Sequence, residues 1–158
     1  MTNFKFTIQF DKCQDIAQRF TFLPGINIVY GASGVGKSFF LSCIEGKSLN
    51  QSYNFQITHK NTTLIYYRIF QNPDNQIIGR SVRGELSFSG ECKGKSVSEL
   101  QMVIESGLDQ LPDTIDPYMN PGLLSGGEKE LLNLTTAMQS SPDILIIDDG
   151  LSFLSSEN

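Results

Sequence analysis

The sequence is poor in the residues that anchor metals, disulfides and membranes. It has one histidine and three cysteines. Cys13, Cys43 and Cys92 are odd in number, far apart and without metal-ligand spacing. That argues against a disulfide framework or a zinc site and reads as reduced thiols in a cytosolic protein. The histidine, His59, reads as a surface or strand residue. The longest apolar run, Ile144–Ile147, is far too short to span a bilayer. The stretch Met1–Phe10 contains Lys5 and Gln9 and has no signal-peptide pattern. Charge is also sparse: 18% of residues are charged, the net charge is -5 and no Lys/Arg run occurs. An acidic chain of this kind is a poor nucleic-acid binder by electrostatics. What remains is an ordinary globular composition, 39% hydrophobic over 158 residues, enough for one domain with a sizeable core.

Phe4, Phe6, Ile8 and Phe10 alternate with polar residues, predicting a half-buried strand. Pro24-Gly25 marks a turn. Ile26, Ile28, Val29 and Tyr30 predict a strand running into a glycine loop, with a short helix over Ser38–Glu45 closed by Gly46. Tyr53–Thr58 and Thr62–Phe70 read as strands, and Val82–Phe88 as a short helix. Ser96 and Glu99 have capping-box spacing, opening a helix to about Ser106 with Gly107 at its C-cap. After a proline-containing loop (Pro112, Pro117, Pro121), Ser125 and Glu128 repeat that spacing. They open a helix to about Met138 whose buried face is Leu131, Leu134, Thr135 and Met138. Ser141-Pro142 then turns the chain into the strand Ile144–Ile147. Strands alternating with helices argue an α/β fold with a largely parallel sheet.

Gly31-Ala32-Ser33-Gly34-Val35-Gly36-Lys37-Ser38 matches G-x-x-x-x-G-K-[ST] in full, between a predicted strand and a predicted helix. The glycines let backbone N–H groups wrap a β-phosphate, and the helix N-terminus favours the anion. Lys37 is positioned for the β- and γ-phosphates, and Ser38 for Mg²⁺. A glycine-rich turn with a chance lysine would not satisfy every fixed position. Three further segments narrow the class. In Leu124-Ser125-Gly126-Gly127-Glu128-Lys129, two glycines stand at a helix start, where they carry a propensity cost; a capping box alone accounts only for Ser125 and Glu128. Phe70-Gln71-Asn72-Pro73-Asp74-Asn75-Gln76, taken alone, is also an ordinary turn sequence. Ile144–Asp149 is a buried strand ending in two carboxylates, or by itself a strand followed by an acidic turn.

In order and spacing these segments resemble the ATP-binding cassette of ABC transporters, from about Phe4 to Leu154. The Phe70–Gln76 segment, Ser81–Phe88 and Glu105–Leu108 are most similar to the cassettes of energy-coupling-factor importers of vitamins and metal ions. The resemblance implies a P-loop NTPase core with a largely parallel sheet, N-terminal antiparallel strands and an inserted helical subdomain over about 72–140. It implies a single cassette domain over 1–158, with the cassette's C-terminal strands missing. ATP and Mg²⁺ are the implied cofactors. Gly31 to Ser38 would bind one face of the nucleotide. Ser125, Gly126, Gly127 and Glu128 would meet the γ-phosphate held by a second cassette. Asp148 is implied as the carboxylate that holds Mg²⁺ through water, with Ser38 and Gln71 as further metal-site residues. Gln71 would also approach the attacking water, and Asp149 stands where the family usually has a glutamate general base. The implied partners are a second cassette and a transmembrane transport subunit, with the chain at the inner face of the cell membrane.

Four departures accompany the resemblance. Asp149 is one methylene shorter than glutamate, which should slow hydrolysis more than binding. The D-loop falls at Ser152-Phe153-Leu154-Ser155, with Ser155 in place of the usual aspartate. The family's switch histidine would lie beyond Asn158, and His59 cannot replace it by order. Without further cassette strands, Ile144–Ile147 would expose an edge. Phe10 is the candidate to stack on adenine, against the plainer reading of a core phenylalanine. These departures leave open a catalytically impaired, accessory nucleotide-binding cassette. A DNA-maintenance ATPase, which carries a similar signature, is disfavoured because Ser38–Ser125 has no sustained heptads.

Overall fold

A computed structural model describes residues 6–12, 15–45, 53–58 and 64–149, with side chains over 22–45 and 64–149. The chain divides into two compact units, Met1–Thr63 and Leu64–Asn158.

In the first unit, β1 (Phe6–Lys12), β2 (Asp15–Phe22) and β3 (Tyr53–Thr58) form an antiparallel sheet in the order β2-β1-β3. Phe6 pairs with Phe22 and Lys12 with Asp15, and a register shift lies between Phe10 and Lys12. Phe10 pairs with Phe55 on the other side; its side chain lies outside the described residues. β1 and β3 match the predicted strands, and β2 is an addition. Helix α1 (Lys37–Ile44) follows the glycine loop and buries Cys43 and Ile44. Burial pushes the Cys43 thiol up, and Cys43 and Cys92 are both free thiols. Cys13, Gly46 and His59 lie outside the described residues.

The strand predicted over Ile26–Tyr30 is not formed. Ile26 is 97% and Tyr30 91% exposed, and among the described residues no ladder reaches them. A competing local structure accounts for part of this. The Asn27 amide donates to the carbonyls of Leu23 (2.8 Å) and Gly25 (3.1 Å) and accepts from the Leu23 N–H at 3.3 Å. Asn27 thus locks the Pro24-Gly25 turn, in which Gly25 has φ +103.

The second unit opens with β4 (Tyr66–Ile69), which pairs in parallel with β5 (Ile144–Ile147). Between them lie α2 (Val82–Cys92), α3 (Val97–Leu108) and α4 (Gly126–Gln139). β4 is shorter than predicted and α2 longer. The helices enclose a core of Val82, Leu86, Ile104, Leu111, Ile115, Leu124 and Leu132. The proline-containing loop docks on the start of α2: Val82 N–H donates to the Met119 carbonyl and Arg83 N–H to that of Pro117. These bonds satisfy donors that a helix start leaves unpaired.

Two local expectations change. Gly107 is not a C-cap; it lies inside α3, and the cap is Asp109. A Cβ at Gly107 would meet the Gln139 amide nitrogen at 2.5 Å and Leu86 Cδ2 at 2.7 Å, so glycine is there for close helix packing. The buried face of α4 is also not the predicted one: of Leu131, Leu134, Thr135 and Met138, only Thr135 is buried. It holds Glu130, Leu132, Asn133, Thr135, Thr136 and Ala137, whereas Met138 is 62% exposed. The helix packs against α2, α3, β4 and the Pro73 turn at once, so a single apolar stripe does not describe it. Gly107→Ala should lower unfolding free energy by about 1–3 kcal/mol through overpacking. The neighbouring exposed change Ser106→Ala should stay within about 0.5 kcal/mol. Urea denaturation of both variants checks this; equal effects would remove the packing explanation.

Candidate functional site

The glycine loop takes its shape from Gly34 (φ +80) and Gly36 (φ +95), both in the left-handed region that glycine adopts freely. Gly36 is also the N-cap of α1. The Lys37 ammonium donates to the loop's own carbonyls, Gly31 at 2.9 Å and Ala32 at 3.0 Å. Two of its three donors thereby brace the loop. Ser38 follows in the first turn, its carbonyl accepting from the Ser42 hydroxyl at 2.9 Å.

In the second unit, β4 and β5 place their following residues side by side. The ladder continues past β5 through the Asp148 N–H, which donates to the Ile69 carbonyl at 3.1 Å. Two side-chain pairs result. Arg68 Nη2 lies 2.5 Å from Asp148 Oδ2, with side chains 11% and 18% exposed. The Gln71 amide donates to Asp149 Oδ2 at 3.2 Å. Asp149 has φ +56, a left-handed conformation that aspartate tolerates better than most residues. Gln71 and Asp149, both predicted as site residues, are therefore brought together, and Asp148 is adjacent. Ser152 to Ser155 lie outside the described residues.

The segment after Gln71 is tied in place. Asn72 accepts from the Asp74 N–H at 3.0 Å and caps a turn of 3-10 helix over Pro73–Asn75. The Gln76 amide accepts from Phe70 N–H (3.3 Å) and donates to the Arg68 carbonyl (2.9 Å), closing the loop on the end of β4. Glu85, only 6% exposed, accepts from the N–H groups of Ile78 and Gly79 and holds the loop's exit to α2.

The Ser125–Glu128 segment forms the predicted capping box. Ser125 is the N-cap of α4, and Glu128 accepts from the Ser125 N–H at 2.8 Å and its hydroxyl at 2.7 Å. Those bonds, the backbone one first, hold the Glu128 carboxyl below its ordinary range. Gly126 and Gly127 make up the first turn. The Phe70–Gln76 segment reaches this helix twice. Asp74 pairs with Lys129 at 2.8 Å, and the buried Asn133 amide donates to the Pro73 carbonyl at 3.1 Å.

Sequence reasoning missed Arg68, Gln76, Glu85, Lys129 and Asn133. An arginine in one strand and an aspartate 80 residues on carry no local signal, since only register decides whether they meet. In the second unit, the Gln71 amide oxygen and the Asp148 carboxylate are hard oxygen atoms of the kind Mg²⁺ takes as ligands. Among the described residues no group of three or more His, Cys, Asp or Glu is placed to hold a metal. Mg²⁺ needs no such cage when phosphates supply further ligands. No helix among the described residues is long and apolar enough to cross a membrane.

A family model described as ABC transporter matches residues 20–152. The energy-coupling factor transporter ATP-binding protein EcfA1 of Streptococcus agalactiae is 28% identical over 137 residues, covering 82% of this chain and 49% of that protein. EcfA1 of Lactiplantibacillus plantarum is 31% identical over 149 residues, covering 85% and 51%. The chain spans about half the length of the curated relatives it matches. Among solved structures, cbiO1 from Clostridium perfringens, part of the ABC transporter complex cbiONQ, superposes with a TM-score of 0.71 at 18% identity. That match covers 96% of this chain and 71% of cbiO1. At that identity the likeness shows the fold, the α/β architecture predicted from the motifs.

The capping box carries a pH dependence whose sign is set. A carboxyl held low in the fold contributes stability above its ordinary pKa, 4.5, and loses it as pH falls through the lowered value. Ser125→Ala should cost about 1 kcal/mol near neutral pH. Glu128→Gln should flatten the acid limb of stability plotted against pH. Urea denaturation across that range measures both; an unaltered acid limb would count against the capping role.

Proposed function

Because the chain belongs to the ABC transporter family, we propose that it supplies the ATP-binding part of an importer of the energy-coupling kind. The observation that carries this reading is the meeting of Gln71 with Asp149 next to Asp148, at the ends of paired parallel strands. Gly31 to Gly36 wrap the phosphates with backbone N–H groups, Lys37 adds charge, and Ser38 offers its hydroxyl to Mg²⁺. Mg²⁺, when bound, neutralises charge on the β- and γ-phosphates. Asp148 and Gln71 supply oxygen donors toward that metal. Asp149 is the general base for the attacking water, and Gln71 orients its carboxylate. Ser125, Gly126, Gly127 and Glu128 present the start of α4 to the γ-phosphate of a nucleotide held by a second cassette. Closure of two cassettes on ATP and reopening after hydrolysis drive a transmembrane partner at the inner face of the membrane. In this reading 1–158 belongs to one cassette domain, with 72–140 as its helical subdomain.

A second reading, an accessory cassette that binds ATP but turns it over poorly, is favoured by one pair. Asp149 is a short base, and one of its oxygens already accepts from Gln71.

Lys37→Ala should abolish ATP binding while leaving the fold intact by circular dichroism; unchanged nucleotide affinity would overturn the phosphate-loop assignment. A positioned general base is worth roughly 10²–10⁴-fold. Asp149→Glu should therefore raise turnover, measured as phosphate release with partner subunits present, if hydrolysis is limited by the short base. Robust hydrolysis by the unmodified chain alone would sink the accessory reading.

A further inference from the structure

Arg68 is the site residue that the proposed function leaves without a task. It lies on β4 opposite Ile146, and its guanidinium reaches forward to the carboxylate one residue beyond β5. The pair is held from several sides. Arg68 Cζ lies 5.5 Å from the centroid of the Phe70 ring, and Gln76 bonds the Arg68 carbonyl at 2.9 Å. With side chains 11% and 18% exposed, solvent screens the pair weakly. A fixed cation thus already neutralises the carboxylate that the site offers to Mg²⁺.

We propose that Arg68 is the resident counter-cation of Asp148 and competes with Mg²⁺ for its carboxylate, so that the arginine sets the metal affinity of the site. The inference rests on the reading of Asp148 as a metal-site residue. The physical reason is charge. A divalent ion near Asp148 either displaces the guanidinium, losing the ion pair, or shares the carboxylate with it against cation–cation repulsion. Both routes weaken metal binding.

The test uses the full chain, unmodified and as Arg68→Met, Arg68→Gln and Arg68→Lys. A fluorescent ATP analogue is bound first in EDTA and then titrated with Mg²⁺. Bound Mn²⁺ is counted separately by electron paramagnetic resonance. Removing the positive charge should lower the Mg²⁺ and Mn²⁺ midpoints roughly tenfold in the Met and Gln variants. Arg68→Lys, which keeps the charge, should stay near the unmodified chain. Unchanged or higher midpoints in a folded Met or Gln variant would overturn the competition. If neither folds, nitrogen-15 resonances of the Arg68 guanidinium in the unmodified chain decide. Release on adding Mg²⁺ with ATP supports the proposal, and persistence of the paired signal overturns it. If the unmodified chain binds no nucleotide with or without metal, the functional reading fails, a result distinct from failure of the Arg68 role.

Discussion

The parallel ladder between β4 and β5 is the constraint on which the second unit's chemistry depends. Its register sets Arg68 opposite Ile146 and Ile69 opposite Ile147. One further bond, from the Asp148 N–H to the Ile69 carbonyl, carries the alignment past the last strand residue. Arg68 then meets Asp148, and Gln71 meets Asp149. A one-residue slip would turn every side chain to the other face and separate both pairs. Four charged or amide groups from distant parts of the chain thus owe their meeting to a short backbone ladder.

The helical layer depends on that ladder through the loop that leaves it. Gln76 closes the loop on β4, Asp74 pairs with Lys129, and the Pro73 carbonyl is held by Asn133. The start of α4, with its Ser125–Glu128 capping box, is therefore bound to the segment that carries Gln71. The Asp74–Lys129 pair, with Asp74 61% exposed, adds little stability by itself. The buried Asn133 bond is the costlier one to break, because it would leave the buried Asn133 amide without an acceptor. Glu85 has the matching task at the loop's other end, where its carboxylate serves two backbone donors.

Local rules were legible where a few neighbouring residues decide the outcome. The capping boxes at Ser96 and Ser125 formed as their spacing predicts, the glycine loop gave way to α1, and Ile144–Ile147 became a strand. Ile26–Tyr30 has the apolar composition of a strand and is not one, because a strand needs a ladder partner and Asn27 offers the chain a turn instead. Gly107 was legible as a helix-breaking glycine but not as a packing one. Its need for the missing Cβ comes from Leu86 and Gln139, remote in sequence.

The same division runs through the site. The sequence by itself determined the glycine loop before α1, the Ser125–Glu128 capping box and the acidic strand end, since each is a contiguous segment set by its own backbone and spacing. Tertiary structure alone decided which side chains answer one another across those segments. Arg68 against Asp148, Gln71 against Asp149 and Asp74 against Lys129 are separated by long stretches of chain. They meet because strand register and helix packing, which no local pattern encodes, bring their backbones within reach.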